Sequence, residues 1–204
     1  MARKWTNLNL PGALHYVTGN VIHRIKVFRQ KRCCLAFFKI LSDKILSDLL
    51  RDWPAKLIAF VVMPDHVHLI VNPRDGNITG FCGALKSLTA KELVRITGDK
   101  RFVREKPDDD GSIHQVWQEG FKAFPLYSGW MSWQKMNYIY NNPVRAKLVR
   151  SAKDYKWSSF RAYYYDSQEP LPVDHDWWWP EDGEKLKEAM KKMSWPGHFK
   201  KNPE

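Results

Sequence analysis

The stretch Val61-Val62-Met63-Pro64-Asp65-His66-Val67-His68-Leu69-Ile70-Val71 holds two apolar strands and the turn between them. The first strand begins upstream, at Leu57-Ile58-Ala59-Phe60. Runs this short and apolar, rich in β-branched residues, read as buried strands. Pro64-Asp65 supplies the turn or bulge. Side chains alternate along a strand, so His66 and His68 share one face, about 7 Å apart at roughly 3.3 Å per residue. Val67 points to the other face. Two imidazoles so placed can hold one divalent ion. The plain alternative is two unrelated polar positions on a half-exposed strand. Against it stands the apolar remainder of the strand, where imidazoles are costly unless something satisfies them.

The rest of the chain supplies elements around this hairpin. His15 to Ile22 is β-rich and reads as a first strand. Residues 31 to 52 carry Leu35, Phe38, Leu41, Ile45 and Leu49 at helical spacing, and Trp53-Pro54 ends the pattern. Asn72 to Gly76 closes the second hairpin strand. Thr79 is placed to cap a helix to about Ile96, with Leu85, Leu88, Leu93 and Val94 inward. Residues 97 to 112 read as a charged mobile loop containing Asp108-Asp109-Asp110. Val116 to Phe121 reads as the last strand, and a helix over 131 to 142 stops at Pro143. The order is strand–helix–strand–strand–helix–strand. It implies an α+β fold: a ferredoxin-like or RRM-like antiparallel sheet with helices on one face, followed by a C-terminal tail. The expected division is residues 1–165 as the domain and 166–204 as a Trp/Lys-rich tail, with a Lys-rich helix near 181 to 193.

Composition narrows the function classes. Lys and Arg number 33 against 22 Asp and Glu, a net charge of +11, and that field favours polyanions. No apolar run approaches the eighteen or so residues of a membrane span. Met1-Ala-Arg-Lys-Trp leads into Asn, Pro and Gly, so no signal peptide is expected. Cys33, Cys34 and Cys82 have no C-x-x-C spacing, which argues against a disulfide framework or thiolate zinc site. The expected setting is the cytoplasm. The phosphate-loop pattern GxxxxGK[ST] is absent, so no nucleotide cofactor is expected.

A second motif lies about seventy residues after His68: Met136-Asn137-Tyr138-Ile139-Tyr140-Asn141-Asn142-Pro143-Val144-Arg145. On a helix Tyr138 and Asn142 are i and i+4 and share a face. Tyr140 sits about 200° round. A phenol is a weak nucleophile near neutral pH, but a metal on the electrophile and cationic surroundings make it competent. The plain reading is that the tyrosines pack and the asparagines finish the helix before Pro143.

Taken together, these strings resemble the single-tyrosine HUH nucleases, most closely the REP-associated tyrosine transposases, relatives of the single-strand insertion-sequence transposases. The strings are Val61 to Val71, Val116-Trp117-Gln118-Glu119-Gly120-Phe121, Tyr138 to Val149, and Trp157-Ser158-Ser159-Phe160-Arg161. They cover roughly residues 10 to 165. The resemblance implies His66 and His68 as metal ligands and Tyr138 as nucleophile. It puts the third ligand at Asn142, where the insertion-sequence relatives typically carry Gln. Gln115, Gln118 and Glu119 are the alternatives for that ligand. It implies Mg²⁺ or Mn²⁺ as cofactor, a 5′-phosphotyrosine and a free 3′-hydroxyl as products, and single-stranded or hairpin DNA as partner. Both monomers and homodimers are consistent with it.

Phosphate-contact candidates are Arg3, Lys4, Arg24, Lys26, Arg29, Lys86, Arg145, Lys147 and Arg161. The first thirty residues contain no Asp or Glu to offset theirs. Trp117, Trp130, Trp133 and Trp157 are candidate base platforms, with core packing the plainer reading of each. Two other functions compete with a nicking-joining enzyme. One is a silent hairpin-binding module on the same fold. The other is a zinc hydrolase, which lacks an evident third strong ligand and base.

Overall fold

The computed structural model describes residues 7, 9–10, 12–46, 55–104, 107, 111, 113–126 and 128–177. Four strands form one antiparallel sheet: β1 (Leu14–Asn20), β2 (Ala55–Met63), β3 (His66–Pro73) and β4 (Lys122–Leu126). Their order across the sheet is β2-β3-β1-β4. Helices α1 (Lys31–Leu46) and α2 (Ile78–Thr97) are the two crossovers. This is the α+β arrangement that the element order implies. The hairpin β2–β3 turns at Pro64-Asp65, with Met63 facing His66 in register. Among the described residues no helix is long and apolar enough to cross a membrane.

Alternation splits the interior in two. Val17, Leu57, Phe60, Val62, Val67, Leu69 and Val71 point to the face covered by α1 and α2. Leu14, Tyr16, Ile58, Val61, Met63 and Ile70 point to the other face. A third helix, α3 (Gly129–Arg145), covers that second face with Met136, Ile139 and Tyr140. A bulge at Ile58 lets both Ile58 and Ala59 turn to the α3 side.

Several local expectations shift for identifiable reasons. Leu35 is exposed, because the buried stripe of α1 is Cys33, Cys34, Phe37, Phe38 and Leu41. That i, i+1, i+4, i+5, i+8 stripe is the wider apolar face. Leu49 and the Ile45 side chain lie outside the described residues. Asn77, not Thr79, caps α2: its side chain accepts from Gly80 N at 2.8 Å. The Thr79 hydroxyl and amide both donate to Asn9 Oδ1. The last strand is 122–126, not 116–121. Trp117 makes only an isolated bridge to Val21, and Gly120, at φ 62°, turns the chain before β4 starts. Pro125 is tolerated because β4 is an edge strand.

α3 runs through Pro143 to Arg145 instead of stopping before it. Proline lacks only the N–H that would reach back one turn, and Ala146 N closes the end on Asn142 O at 2.9 Å. The 97–112 segment is anchored at both ends. Phe102 is fully buried, and Arg104 N donates to Ile113 O. Asp108, Asp109 and Asp110 lie outside the described residues, as does the stretch expected as a Lys-rich helix.

The free edge of β2 is covered by the chain that follows α3. Val62 N donates to Trp157 O, Phe60 N to Ser159 Oγ and Leu57 N to an Asp174 carboxylate oxygen. Ser159 N and Asp174 N return bonds to the carbonyls of Phe60 and Leu57. The short helix α4 (Phe160–Tyr165) sits within this cover, and Tyr163 Oη donates to Ile58 O. Trp177 is buried, and its carbonyl accepts from Asn72 Nδ2. The cover of this edge continues past residue 165 to Trp177.

Candidate active site

His66 and His68 open β3 on the face that carries α3. They stand opposite Asn20 and Thr18 of β1. Their ring centroids are 5.0 Å apart. Each ring is fixed through Nδ1. His66 Nδ1 lies 2.6 Å from Asp65 Oδ1, so the carboxylate holds a proton on that nitrogen and leaves Nε2 as the acceptor. His68 Nδ1 lies 2.8 Å from Tyr16 Oη and 2.9 Å from Thr18 Oγ1. Its Nε2 is buried and has no hydrogen-bond partner. Buried polar atoms are nearly always satisfied, and this one is open to a partner.

Burial pulls His68 down to about 3, and the positive charges of His66, Lys135 and Arg24 pull the same way. His66 is lowered too: burial outweighs the opposing pull of Asp65. Both rings are thus neutral, with lone pairs available at ordinary pH. Behind them Asp65 Oδ2 pairs with Arg24 Nε at 3.1 Å, and Arg24 also donates to Asn20 Oδ1 at 2.7 Å. Arg24 and the preceding His23 occupy the left-handed region, at φ 55° and 51°. That backbone costs roughly 1–3 kcal/mol per residue and persists only where surroundings hold it. Here Val21 N donates to Asp65 O and Phe28 N to Pro64 O, locking the loop onto the β2–β3 turn.

α3 delivers Tyr138 to the same place. Its ring centroid lies 5.5 Å from His68 and 6.3 Å from Tyr16. The side chain is 38% exposed. Two cations flank the ring: Arg145 at 5.7 Å and Lys135 Nζ at 5.9 Å from its centroid. Tyr140 is buried instead, with its hydroxyl 3.3 Å from Ser159 Oγ, and burial raises that phenol well above the ordinary range. Asn142, one turn beyond Tyr138, keeps a buried Nδ2 without a partner. The two ends of an amide are told apart only by their hydrogen bonds, so a half-turn presents oxygen at that position. Among the described residues no group of three His, Cys, Asp or Glu side chains is placed to hold a metal ion. A cation here would take the two imidazoles and a neutral oxygen.

The proposed DNA contacts divide. Lys26, Arg29, Arg145, Lys147 and Arg161 are exposed. Arg24 is committed to Asp65 and Asn20. Lys86 donates to the carbonyls of Gln118 and Gly120, and burial lowers its ammonium to about 8, so it holds the turn before β4. Trp117 is core: it packs on Phe28 and Phe37, and its indole donates to Thr89 Oγ1 at 3.0 Å. Trp157 lies against Phe38. Trp130 is the open one, 51% exposed and stacked on Trp133 at 5.8 Å, two turns before Tyr138. Arg3 and Lys4 lie outside the described residues. All three cysteines are buried free thiols.

Sequence reasoning missed Tyr16, Thr18, Asp65 and Lys135. The signals existed: Asp65 adjoins His66, Lys135 stands three residues before Tyr138, and Tyr16 and Thr18 alternate on the strand that pairs with β3.

The family described as IS200-like transposases matches residues 16–142, from Tyr16 through Asn142. A Haemophilus influenzae protein, assigned by its name to the REP-associated tyrosine transposases, is 27% identical over 110 residues. That match takes in 53% of this chain and 60% of the relative's length. A solved structure of a REP-associated tyrosine transposase bound to a REP hairpin superposes with a TM-score of 0.61 at 20% identity. It covers 85% of this chain and 92% of that one, and shares its fold. The family match takes in the three β1–β3 strands, the paired histidines and the tyrosine helix, well over half of the sequence, and the chain belongs to the IS200-like transposases.

Proposed function

We propose that the protein is a divalent-metal-dependent endonuclease and strand transferase that cuts single-stranded DNA at hairpin or REP-type repeats through a 5′-phosphotyrosine. The observation that carries this reading is the exposed phenol of Tyr138 beside the neutral imidazole of His68, whose buried Nε2 is unpartnered and whose ring packs against His66. His66, His68 and Asn142 are the residues that would hold Mg²⁺ or Mn²⁺. Two nitrogen donors suit Mn²⁺ better than Mg²⁺. When bound, such an ion polarises the scissile phosphate as a Lewis acid.

The chain's own residues do the rest. Asp65, Tyr16 and Thr18 fix the imidazole rings. Tyr138 Oη attacks phosphorus: the Oη–P bond forms, the P–O3′ bond breaks, the phenol gives up its proton and the departing 3′-oxygen gains one. One phosphodiester replaces another, so a 3′-hydroxyl can reverse the step and join strands. Lys26 and Arg29, exposed on the loop next to Asp65, and Arg145, Lys147 and Arg161 offer phosphate contacts. Trp130, paired with Trp133, offers a ring face to an unpaired base. His68 and Tyr138 pack together within one chain, which supports a centre built from a single copy. The setting proposed is the bacterial cytoplasm, at the nucleoid.

The test is an adduct assay with end-labelled hairpin oligonucleotides and Mn²⁺ or Mg²⁺, read on denaturing gels. The expected result is a metal-dependent, protease-sensitive covalent band that Tyr138→Phe abolishes. Tight, salt-sensitive binding without an adduct would replace this reading with that of a silent hairpin-binding module.

A further inference from the structure

Lys135 stands on α3 three residues before Tyr138, on the same side of the helix. Its ammonium lies 5.0 Å from the ring centroid of Tyr16, 5.0 Å from that of Phe124 and 5.9 Å from that of Tyr138. Rings from β1, β4 and α3 thus surround one charge. Among the described residues it has no carboxylate partner, and Asp65, the carboxylate of the histidine turn, is engaged by His66 and Arg24. Lys86 shows the contrast, since its ammonium is satisfied by two backbone carbonyls. The charge of Lys135 also reaches the metal-side imidazole, where it helps keep His68 neutral.

Given the phosphotyrosine reading above, on which this rests, we infer that Lys135 is a catalytic phosphate-binding residue, whose ammonium holds a non-bridging oxygen of the scissile phosphate beside Tyr138. Aromatic rings fix the position of a cation without consuming its hydrogen bonds. An ammonium so held keeps its three donors for an oxygen anion. In phosphoryl transfer the charge spreads over the equatorial oxygens, and a preplaced cation there acts without reorganising. Lys135 contributes charge alone while the Oη–P bond forms and the P–O3′ bond breaks. Arg145, more exposed and at the far end of the helix, lies 5.7 Å from the centroid of the same ring.

The experiment uses the full chain with Lys135→Gln and Lys135→Arg, run beside the parent and Tyr138→Phe. Lys135→Gln is expected to slow adduct formation about 100-fold, the effect of losing one such donor, with hairpin affinity changed less than about tenfold. Lys135→Arg recovers at least part of the rate. A hairpin carrying an uncharged methylphosphonate at the scissile position is expected to lose more affinity for the parent than for Lys135→Gln. Parental rates in Lys135→Gln overturn the inference. So does an equal loss in both variants with a lowered melting temperature, which assigns the lysine to packing, or an equal methylphosphonate penalty in both proteins. No adduct from the parent itself overturns the activity reading instead.

Discussion

Tyr138 and Tyr140 are the same side chain two positions apart, and their surroundings separate them. Tyr138→Phe removes an exposed hydroxyl, so we expect the covalent adduct to vanish while the melting temperature stays put. Tyr140→Phe removes a buried hydroxyl from Ser159, so we expect adduct formation to persist and stability to fall by about 1 kcal/mol in denaturant titrations. The reverse pattern would move the nucleophile to Tyr140. Asp65 acts through His66. Asp65→Ala frees the imidazole to turn and is expected to weaken Mn²⁺ binding about 10- to 100-fold by calorimetric titration. Unchanged affinity would remove His66 from the ligand set.

At the scale of the element, the sequence shows most clearly what is local. The two-residue period of β3 places both histidines on one face, and the 3.6-residue period of α3 parts Tyr138 from Tyr140. What escapes the sequence depends on distant partners. Val116 and Trp117 look like a strand because they are apolar, yet they are buried by packing on Val21, Phe28 and Phe37, not by pairing along a ladder. The stripe of α1 is off by a residue because Cys33 and Cys34 fill the core as small apolar groups. That stripe makes its own prediction. Burial pushes the Cys34 thiol up to about 12, and its Sγ donates to Phe28 O, so almost no thiolate exists at pH 8. Iodoacetamide at pH 8 should leave Cys34 unlabelled in the native protein and label it once α1 is unfolded, as read by mass spectrometry. Rapid native labelling would mean that α1 opens locally.

Across the whole molecule, a charge of +11 implies binding that weakens with salt. Each phosphate contact contributes roughly 0.7 to the slope of log affinity against log salt for single strands. Replacing Lys26 and Arg29 together by Ala should lower that slope by about one unit and weaken all sequences alike, in fluorescence anisotropy over a salt series. An unchanged slope would take the loop after β1 out of the DNA path. Where Lys26 and Arg29 lie was not legible from composition: it depends on the left-handed turn at His23-Arg24, which ties this loop to the hairpin through Asp65.

The sealed edge of β2 also bears on the order of synthesis. Leu57 receives its outer partner from Asp174, 117 residues later in the chain. A growing chain therefore carries a bare strand edge until Trp157 and Ser159 emerge, and at Leu57 until Asp174 does, able to pair with the same strand on a neighbouring ribosome. A fragment cut at residue 165 would keep that edge half open for good, so expression as soluble single copies should depend on retaining the segment through Trp177.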